Sequence, residues 1–290
     1  MGKTATNVVN QIQILRDRGM DLDLPEEKIK EILLDIGYYR LGFYWNPFEK
    51  NKNHEFSEGT KFSDAVKLYY LDVDLRNILL KYINRIEINF RTKVVYYVSN
   101  KYKNAPTWFI DPKIMNTDFI KSINEYYNPK FIKNNRTIQL HHRNNINDKY
   151  APAWKTLEFF TFGAILKIFK SLNEEDVKKR IAGEYKVLNL NKFINLMDTI
   201  VFVRNTCAHG GVLFDFQIPQ GIAILPGIVF NNNNRHSLDS SIKIISYILN
   251  SVSESRRLEM EEFINELFKS HCENEVIKNI IETKIGYRFA

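Results

Sequence analysis

Between residues 60 and 105 the chain contains neither glycine nor proline. Within that stretch apolar residues return at three- and four-residue steps: Leu79, Ile83, Ile86, Phe90, Val94 and Tyr97. That spacing lays one apolar stripe along a 3.6-residue helix. Lys81, Arg85, Glu87 and Arg91 fall on the opposite face. A helix of about 38 residues runs about 57 Å at 1.5 Å per residue, long for a globular domain, so the rest of the fold has to be organised around it. The sequence permits a break near Asp72 and Asp74.

Composition agrees with a helical chain. Only 12 glycines and 8 prolines occur in 290 residues, below the usual shares, and 44% hydrophobic with 26% charged residues is the balance of a globular protein. Residues 7–18 carry Val8, Ile12 and Leu15 at helical spacing and stop at Gly19; Pro25 opens a second helix with Ile29, Leu33 and Ile36, stopped by Gly37. The aromatic run GYYRLGFYWNPF (37–48) reads as a core plug between helices. Leu157, Phe160, Ile165, Ile168 and Phe169 mark another amphipathic stretch over 154–172, and Phe193, Leu196, Ile200, Val203 and Cys207 a further helix over 191–208, with Gly210-Gly211 as its stop. Residues 212–230 read as an extended, β-like excursion, 231–234 as a loop, and 238–249, 255–268 and 275–285 as helices. The expected fold class is mostly α.

Cys207 and Cys272 are the only cysteines, too few for a disulfide framework, and no Cys/His set has zinc spacing. Cys207 lies on the apolar stripe and reads as core. The opening MGKTATNVVNQIQILRDRG lacks the apolar stretch of a secretory signal, and no run approaches the length of a membrane span. The expectation is a soluble, cytoplasmic chain with no membrane association. Neither a phosphate-binding glycine loop nor HExxH nor GxSxG occurs, so no cofactor and no metal is expected.

The net charge of +7 suits a polyanionic partner. Over half of that excess lies in residues 121–150, where six basic side chains (Lys121, Lys130, Lys133, Arg136, Arg143, Lys149) face two acids, Glu125 and Asp148. Tyr126, Tyr127, Phe131, His141, His142 and Tyr150 are interleaved with them. Cations for phosphates beside rings for bases suit single-stranded RNA, with Lys130, Lys133, Arg136, His141, His142 and Arg143 as the contacting set. The alternative is a solvated basic insertion, in which two adjacent histidines simply face water.

The remaining chemistry is VRNTCAHGG, residues 203–211. On an ideal helix Arg204 and His209 lie about 140° apart and about 7.5 Å along the axis. They share a face only if the helix ends before His209, if Arg204 uses its length, or if two copies face each other. Asn205, four residues before His209, does share its face. An imidazole can take a proton from a ribose 2′-OH or give one to a leaving 5′-oxygen, and a guanidinium can clamp the phosphate. A helix C-terminus favours a cation, which suits a general acid. The spacing alone is equally that of a capping histidine beside a surface arginine.

RNTCAHGGVLFD (204–215) resembles the signature of the abortive-infection Abi-like family, in its AbiF/AbiD group. Other segments resemble it in order: QILRDRGMDL (13–22), IGYYRLGFYWNPF (36–48), the long helical segment 62–99 with Arg85-Ile86-Glu87, and PAWKTLEFFTFGAILKIFKSL (152–172) through Trp154, Glu158, Phe162 and Gly163. The resemblance covers roughly residues 10–215. It implies a HEPN-type helical bundle with added N- and C-terminal helices, forming one domain over 1–290. Within it, 1–59 holds the N-terminal helices and GYYRL segment, 60–215 the core with a basic insertion at 106–153, and 216–290 the excursion and C-terminal helices. It further implies an antiphage or toxin–antitoxin endoribonuclease that cuts RNA without metal, with Arg204 and His209 catalytic, Asn205 supporting, two motifs meeting in a homodimer, and a small structured RNA as a further partner. Many members carry a second histidine after the motif histidine, where this chain has Gly210. Arg85, Glu87 and Arg91 are expected to pack against the motif helix and orient it. The alternative function is a non-cleaving RNA-binding or RNA-sequestered module of the same fold; a protein-binding helical scaffold is a third.

Overall fold

Phe62–Lys101 is one unbroken helix of 40 residues. The break that the sequence permits near residue 72 is not used, because Asp72 is buried and ion-paired with Arg76 one turn further on. The computed structural model describes residues 4–289; the outermost residues of the expected 1–290 domain lie outside them. The helices are α1 (Val8–Asp17), α2 (Glu26–Ile32), α3 (Tyr38–Trp45), the long α4 (Phe62–Lys101), α5 (Thr117–Lys121), α6 (Ile123–Tyr126), α7 (Pro129–Asn134), α8 (Arg136–Asn144), α9 (Ala153–Thr156), α10 (Phe162–Ser171), α11 (Glu175–Gly183), α12 (Leu190–Ala208), α13 (Leu238–Val252), α14 (Glu254–Lys269) and α15 (Glu275–Ile280). Among the described residues there is no strand, only isolated bridges such as Asp21 with Lys61. No helix among them is long and apolar enough to cross a membrane.

Two compact units make up the chain. One takes the chain up to Ile78, residues 206–216 and residues 262 onward; the other takes 79–205 and 217–261. The division falls inside α4, α12 and α14.

In the first unit α1 is capped by the Asn7 side chain, which accepts from the Asn10 amide, the arrangement that satisfies a free N–H of the first turn. Ile12, Leu15, Leu41, Tyr44, Trp45, Leu71 and Phe268 form its core. The 37–48 run is only half a plug. Leu41, Tyr44 and Trp45 are buried, but Tyr39 is 82% and Phe43 40% exposed, because α3 is a helix with two faces and Tyr39 and Phe43 share the outer one.

In the second unit Phe90 is the hub. Its ring centroid lies 5.4 Å from Phe169, 6.1 Å from Phe162 and Phe193, and 6.5 Å from Tyr185, within the range of favourable aromatic pairs. Leu79, Ile83, Ile86, Phe90 and Val94 are fully buried as expected, but Val98 rather than Tyr97 continues the stripe; the Tyr97 hydroxyl donates to Glu184 at 2.7 Å. Glu87, expected on the polar face, is buried. The 154–172 stretch is two pieces, since Thr161 leaves the helix to cap α10 through the Ala164 amide.

The excursion is not β but irregular, interrupted by turns at 214–215 and 226–227. Ile218 N–H donates to the His236 carbonyl at 2.9 Å and Ile222 N–H to Arg235 at 3.0 Å, with no ladder between. Pro219 and Pro226 remove donors a strand would need. Asn195 of α12 pins this segment instead, accepting from Ala223 N–H at 2.6 Å and donating to the Gly221 carbonyl at 3.3 Å.

Replacing the hub by Phe90→Ala is expected to cost about 3–5 kcal/mol. Tyr96→Ala, on the same helix but 60% exposed, should stay within about 0.5 kcal/mol of the parent. Urea unfolding followed by circular dichroism distinguishes the two, and equal costs would show that Phe90 is no hub.

Candidate functional site

The stripe Phe193, Leu196, Ile200, Val203 and Cys207 is buried along α12, which leaves the other side of its last turns to polar residues. Asn205 is exposed and Arg204 half-exposed. The helix closes at Ala208 through two bonds: Gly210 N–H to the Cys207 carbonyl at 3.2 Å and Gly211 N–H to the Thr206 carbonyl at 2.7 Å. This pair is the Schellman closure, which requires a left-handed residue next to last; Gly210 supplies it with φ +67°. His209 therefore sits at the cap, outside the helical hydrogen bonding, with an exposed side chain. The left-handed backbone also gives a physical reason for glycine, rather than a second histidine, at position 210. Gly211 is required for space, since a Cβ there would lie 2.6 Å from Thr206 Cγ2 and 3.0 Å from its carbonyl oxygen. Burial pushes the Cys207 thiol up to about 12, so it is a core group and no nucleophile.

Arg204 and Asn205 belong to the second unit, and His209 to the first. In the second unit Arg204 Nε lies 3.7 Å from Glu87 Oε2, and its Nη1 donates to Asn205 Oδ1 at 3.3 Å. The other oxygen of Glu87 accepts from Arg91 Nη2 at 2.8 Å, and the same nitrogen donates to the Phe160 carbonyl at 3.0 Å. Glu87 thus meets Arg91 through one oxygen and Arg204 through the other. Leu80, Lys81, Asn84, Glu87 and Arg204 border an open depression of about 350 Å³. Arg85 takes no part in this: it is exposed, so only Glu87 and Arg91 of the expected orienting trio touch the motif's surroundings.

In the first unit the segment after His209 is tied down by one carboxylate. Asp72 Oδ1 accepts from Leu213 N–H at 2.9 Å and Phe214 N–H at 3.0 Å, and Oδ2 accepts from the Tyr44 hydroxyl at 2.9 Å and from Arg76. Arg76 Nη1 also donates to the Gly211 carbonyl at 3.0 Å. Burial pushes the Asp72 carboxyl up from its ordinary value, against the pull of Arg76 and the backbone amides, and burial lifts the Tyr44 hydroxyl to about 12. Arg40, within the aromatic run 37–48, donates to the Tyr44 hydroxyl at 3.2 Å, and its Nη2 lies 3.9 Å from where a Cβ on Gly210 would be. The sequence holds no signal for it, because Arg40 and Gly210 are 170 residues apart in the chain.

The basic segment is divided in two. Lys130, Lys133, Arg136 and Arg143 are exposed. The rings among them are largely spent on each other. Tyr127 is buried, its hydroxyl hydrogen-bonded to His142 Nε2 at 2.7 Å and accepting from Ala151 N–H at 3.0 Å. His141 is buried too, with Nε2 3.0 Å from Asp148 Oδ2. Neither the RNA-contacting set nor the alternative of two histidines facing water describes His141, which is buried, while His142 is half-buried against Tyr127. Their segment is a set of short helices, and its inner face needs them. Among the described residues no group of three or more His, Cys, Asp and Glu side chains could hold a metal ion.

Two predictions test this architecture. Gly211→Ala should destabilise by about 1–3 kcal/mol through overpacking, whereas Gly183→Ala, with nothing within 4 Å of the new Cβ, should not; thermal melts compare them. Asp72→Asn should cost about 3–5 kcal/mol because Arg76 stays buried without its counterion. In that variant hydrogen exchange at the Leu213 and Phe214 amides should accelerate, and unchanged exchange there would show that Asp72 does not hold the segment.

No curated protein matches this chain, and no solved structure matches it. Residues 31–215, well over half of its length, match the family described as Abi-like protein. That span carries α3, α4, the capped end of α12 and every residue of the Asp72 network. The chain belongs to the Abi-like protein family.

Proposed function

We propose that this chain is a metal-independent HEPN-type endoribonuclease, the toxic effector of an abortive-infection or toxin–antitoxin system. Family membership supports the abortive-infection role. The observation that carries the enzymatic reading is the exposure pattern of the motif. Val203 and Cys207 are buried, whereas Arg204, Asn205 and His209 stay at the surface, with the helix ended just before the histidine. A capping role alone would not need an arginine kept half-exposed against a buried glutamate.

In the proposed reaction the ribose 2′-oxygen attacks the adjacent phosphorus and gives its proton to a base, while the P–O5′ bond breaks and the 5′-oxygen takes a proton from an acid. The products are a 2′,3′-cyclic phosphate and a 5′-hydroxyl. His209 supplies one of these proton transfers and the His209 of a second copy the other, so the working form is a homodimer. Arg204 clamps the phosphate and offsets the charge gained in the transition state, with Asn205 beside it. Lys130, Lys133, Arg136 and Arg143 hold RNA phosphates, and a small structured RNA is a further partner. The alternative, a non-cleaving RNA-binding module, draws on the contact of Glu87 with Arg204, which offsets the charge a phosphate would meet.

The test is a denaturing-gel cleavage assay in EDTA with protein freed of bound RNA. Wild type should cut and leave cyclic-phosphate ends, and Arg204→Ala and His209→Ala should each lose about 10²–10⁴-fold. A 5′-phosphate product, or activity abolished by the chelator, would overturn the mechanism. Tight RNA binding without cleavage would support the module.

A further inference from the structure

The first unit contains a groove of about 540 Å³ whose walls include Arg18, Tyr39, Phe43, Trp45 and, from the segment after the motif, Val212 and Phe214. That volume lies in the range of small-molecule sites. Its aromatic side is unusual for a surface. Tyr39 is 82% and Phe43 40% exposed, one helical turn apart on α3, with ring centroids 5.3 Å apart and planes at 77°. The charges at its rim are of two kinds. Lys284 pairs with Asp215 at 3.3 Å, and His54 Nδ1 lies 2.8 Å from Glu49 Oε2, which leaves polar edges. Arg18 instead donates to the Tyr38 hydroxyl at 3.3 Å and has no carboxylate within ion-pair distance among the described residues.

We propose that this groove seats one unpaired nucleobase of the RNA, stacked on Tyr39 with the Phe43 ring steeply inclined beside it, next to a phosphate held by Arg40. The inference rests on the ribonuclease reading for the source of the base. Three features point to it. Every base has a π-face, so exposed rings in a cleft bind single-stranded nucleotides without demanding a sequence. Rim groups that are paired but polar can meet the edge of a base. And Arg40, next to Tyr39 in the chain but about 100° round α3 and outside the groove wall, keeps its guanidinium beside Gly210, on the way from the groove to the motif. Arg40, too, has no carboxylate partner among the described residues; it lies over the Tyr44 ring at 5.5 Å. Val212 follows His209 by three residues, a reach of at most about 10 Å of chain. The base in the groove is therefore that of a nucleotide flanking the scissile bond, and the groove reads shape next to the cut.

The test uses the full chain carrying His209→Ala and a short single-stranded oligoribonucleotide with 2-aminopurine placed at each position in turn. One position should be quenched on binding. Tyr39→Ala should abolish that quenching and weaken binding about 5- to 150-fold, the range for one stacked base, without changing the salt dependence; Tyr39→Phe should restore both. Arg40→Ala should lower the slope of log affinity against log salt by about one. Because Tyr39 is largely in solvent, its variants should keep the parent's thermal midpoint, which is measured alongside. Parental affinity and quenching in Tyr39→Ala and Phe43→Ala would overturn the groove and leave the ribonuclease reading standing. In a second arm adenosine monophosphate replaces the oligonucleotide, read by tryptophan fluorescence. Tyr39-dependent binding of the nucleotide without binding of RNA would uphold the base site with a free nucleotide as its source, and count against the ribonuclease. Binding of neither would overturn the proposal.

Discussion

A carboxylate taken out of water has to be compensated by nearly every group around it, and Asp72, 1% exposed, is compensated four times. Two of its partners are side chains, Tyr44 from α3 and Arg76 from its own helix; two are the backbone amides of Leu213 and Phe214. The side-chain partners alone would make a buried pair, which contributes little net stability. The backbone partners turn it into a clamp, since an irregular segment without strand or helix has few other ways to satisfy its amides. Arg76 adds the Gly211 carbonyl to the same clamp. The loop that follows the motif histidine thus owes its path to one charge on α4.

Much of this was readable in the sequence, for a reason that is physical. Periods of 3.6 reach the eye when a helix buries one stripe and only one, as α12 does from Phe193 to Cys207. α4 defeats the same reading twice. Asp72 and Glu87 look like polar-face residues or a break, yet both are buried, each between an arginine one turn on, Arg76 or Arg91, and a partner on another element, Tyr44 for the one and Arg204 for the other. Periodicity contains no information about such partners. The 37–48 run misleads in the opposite direction, since a dense aromatic cluster reads as core while α3 keeps two of its rings outside. The histidines of α8 were hidden by their neighbours' charge: a +4 segment suggests surface, but a set of short helices still has to bury something, and it buries Tyr127 and His141.

The candidate site was legible in its residues and not in its support. Arg204, Asn205 and His209 stand out by type and spacing, and so does the glycine pair behind them. That Gly210 is left-handed and that Gly211 has no room for a Cβ follow only from the closure of the helix. Arg40 beside Gly210 comes from a segment more than 150 residues earlier in the chain, a distance over which a single sequence gives no hint of contact.

The exposure of the three motif side chains has a consequence for how the protein changes over generations. Side chains that lie outside the core contribute little to folding, so one base change that removes Arg204 or His209 leaves a chain that still folds and accumulates. Their neighbours Cys207 and Gly211 have no such freedom, because a substitution there disturbs packing. For a protein that harms its own host on the ribonuclease reading, the easiest escape is thus a silent, well-folded copy rather than a degraded one. Such copies would persist in a population as intact proteins that have lost only their chemistry.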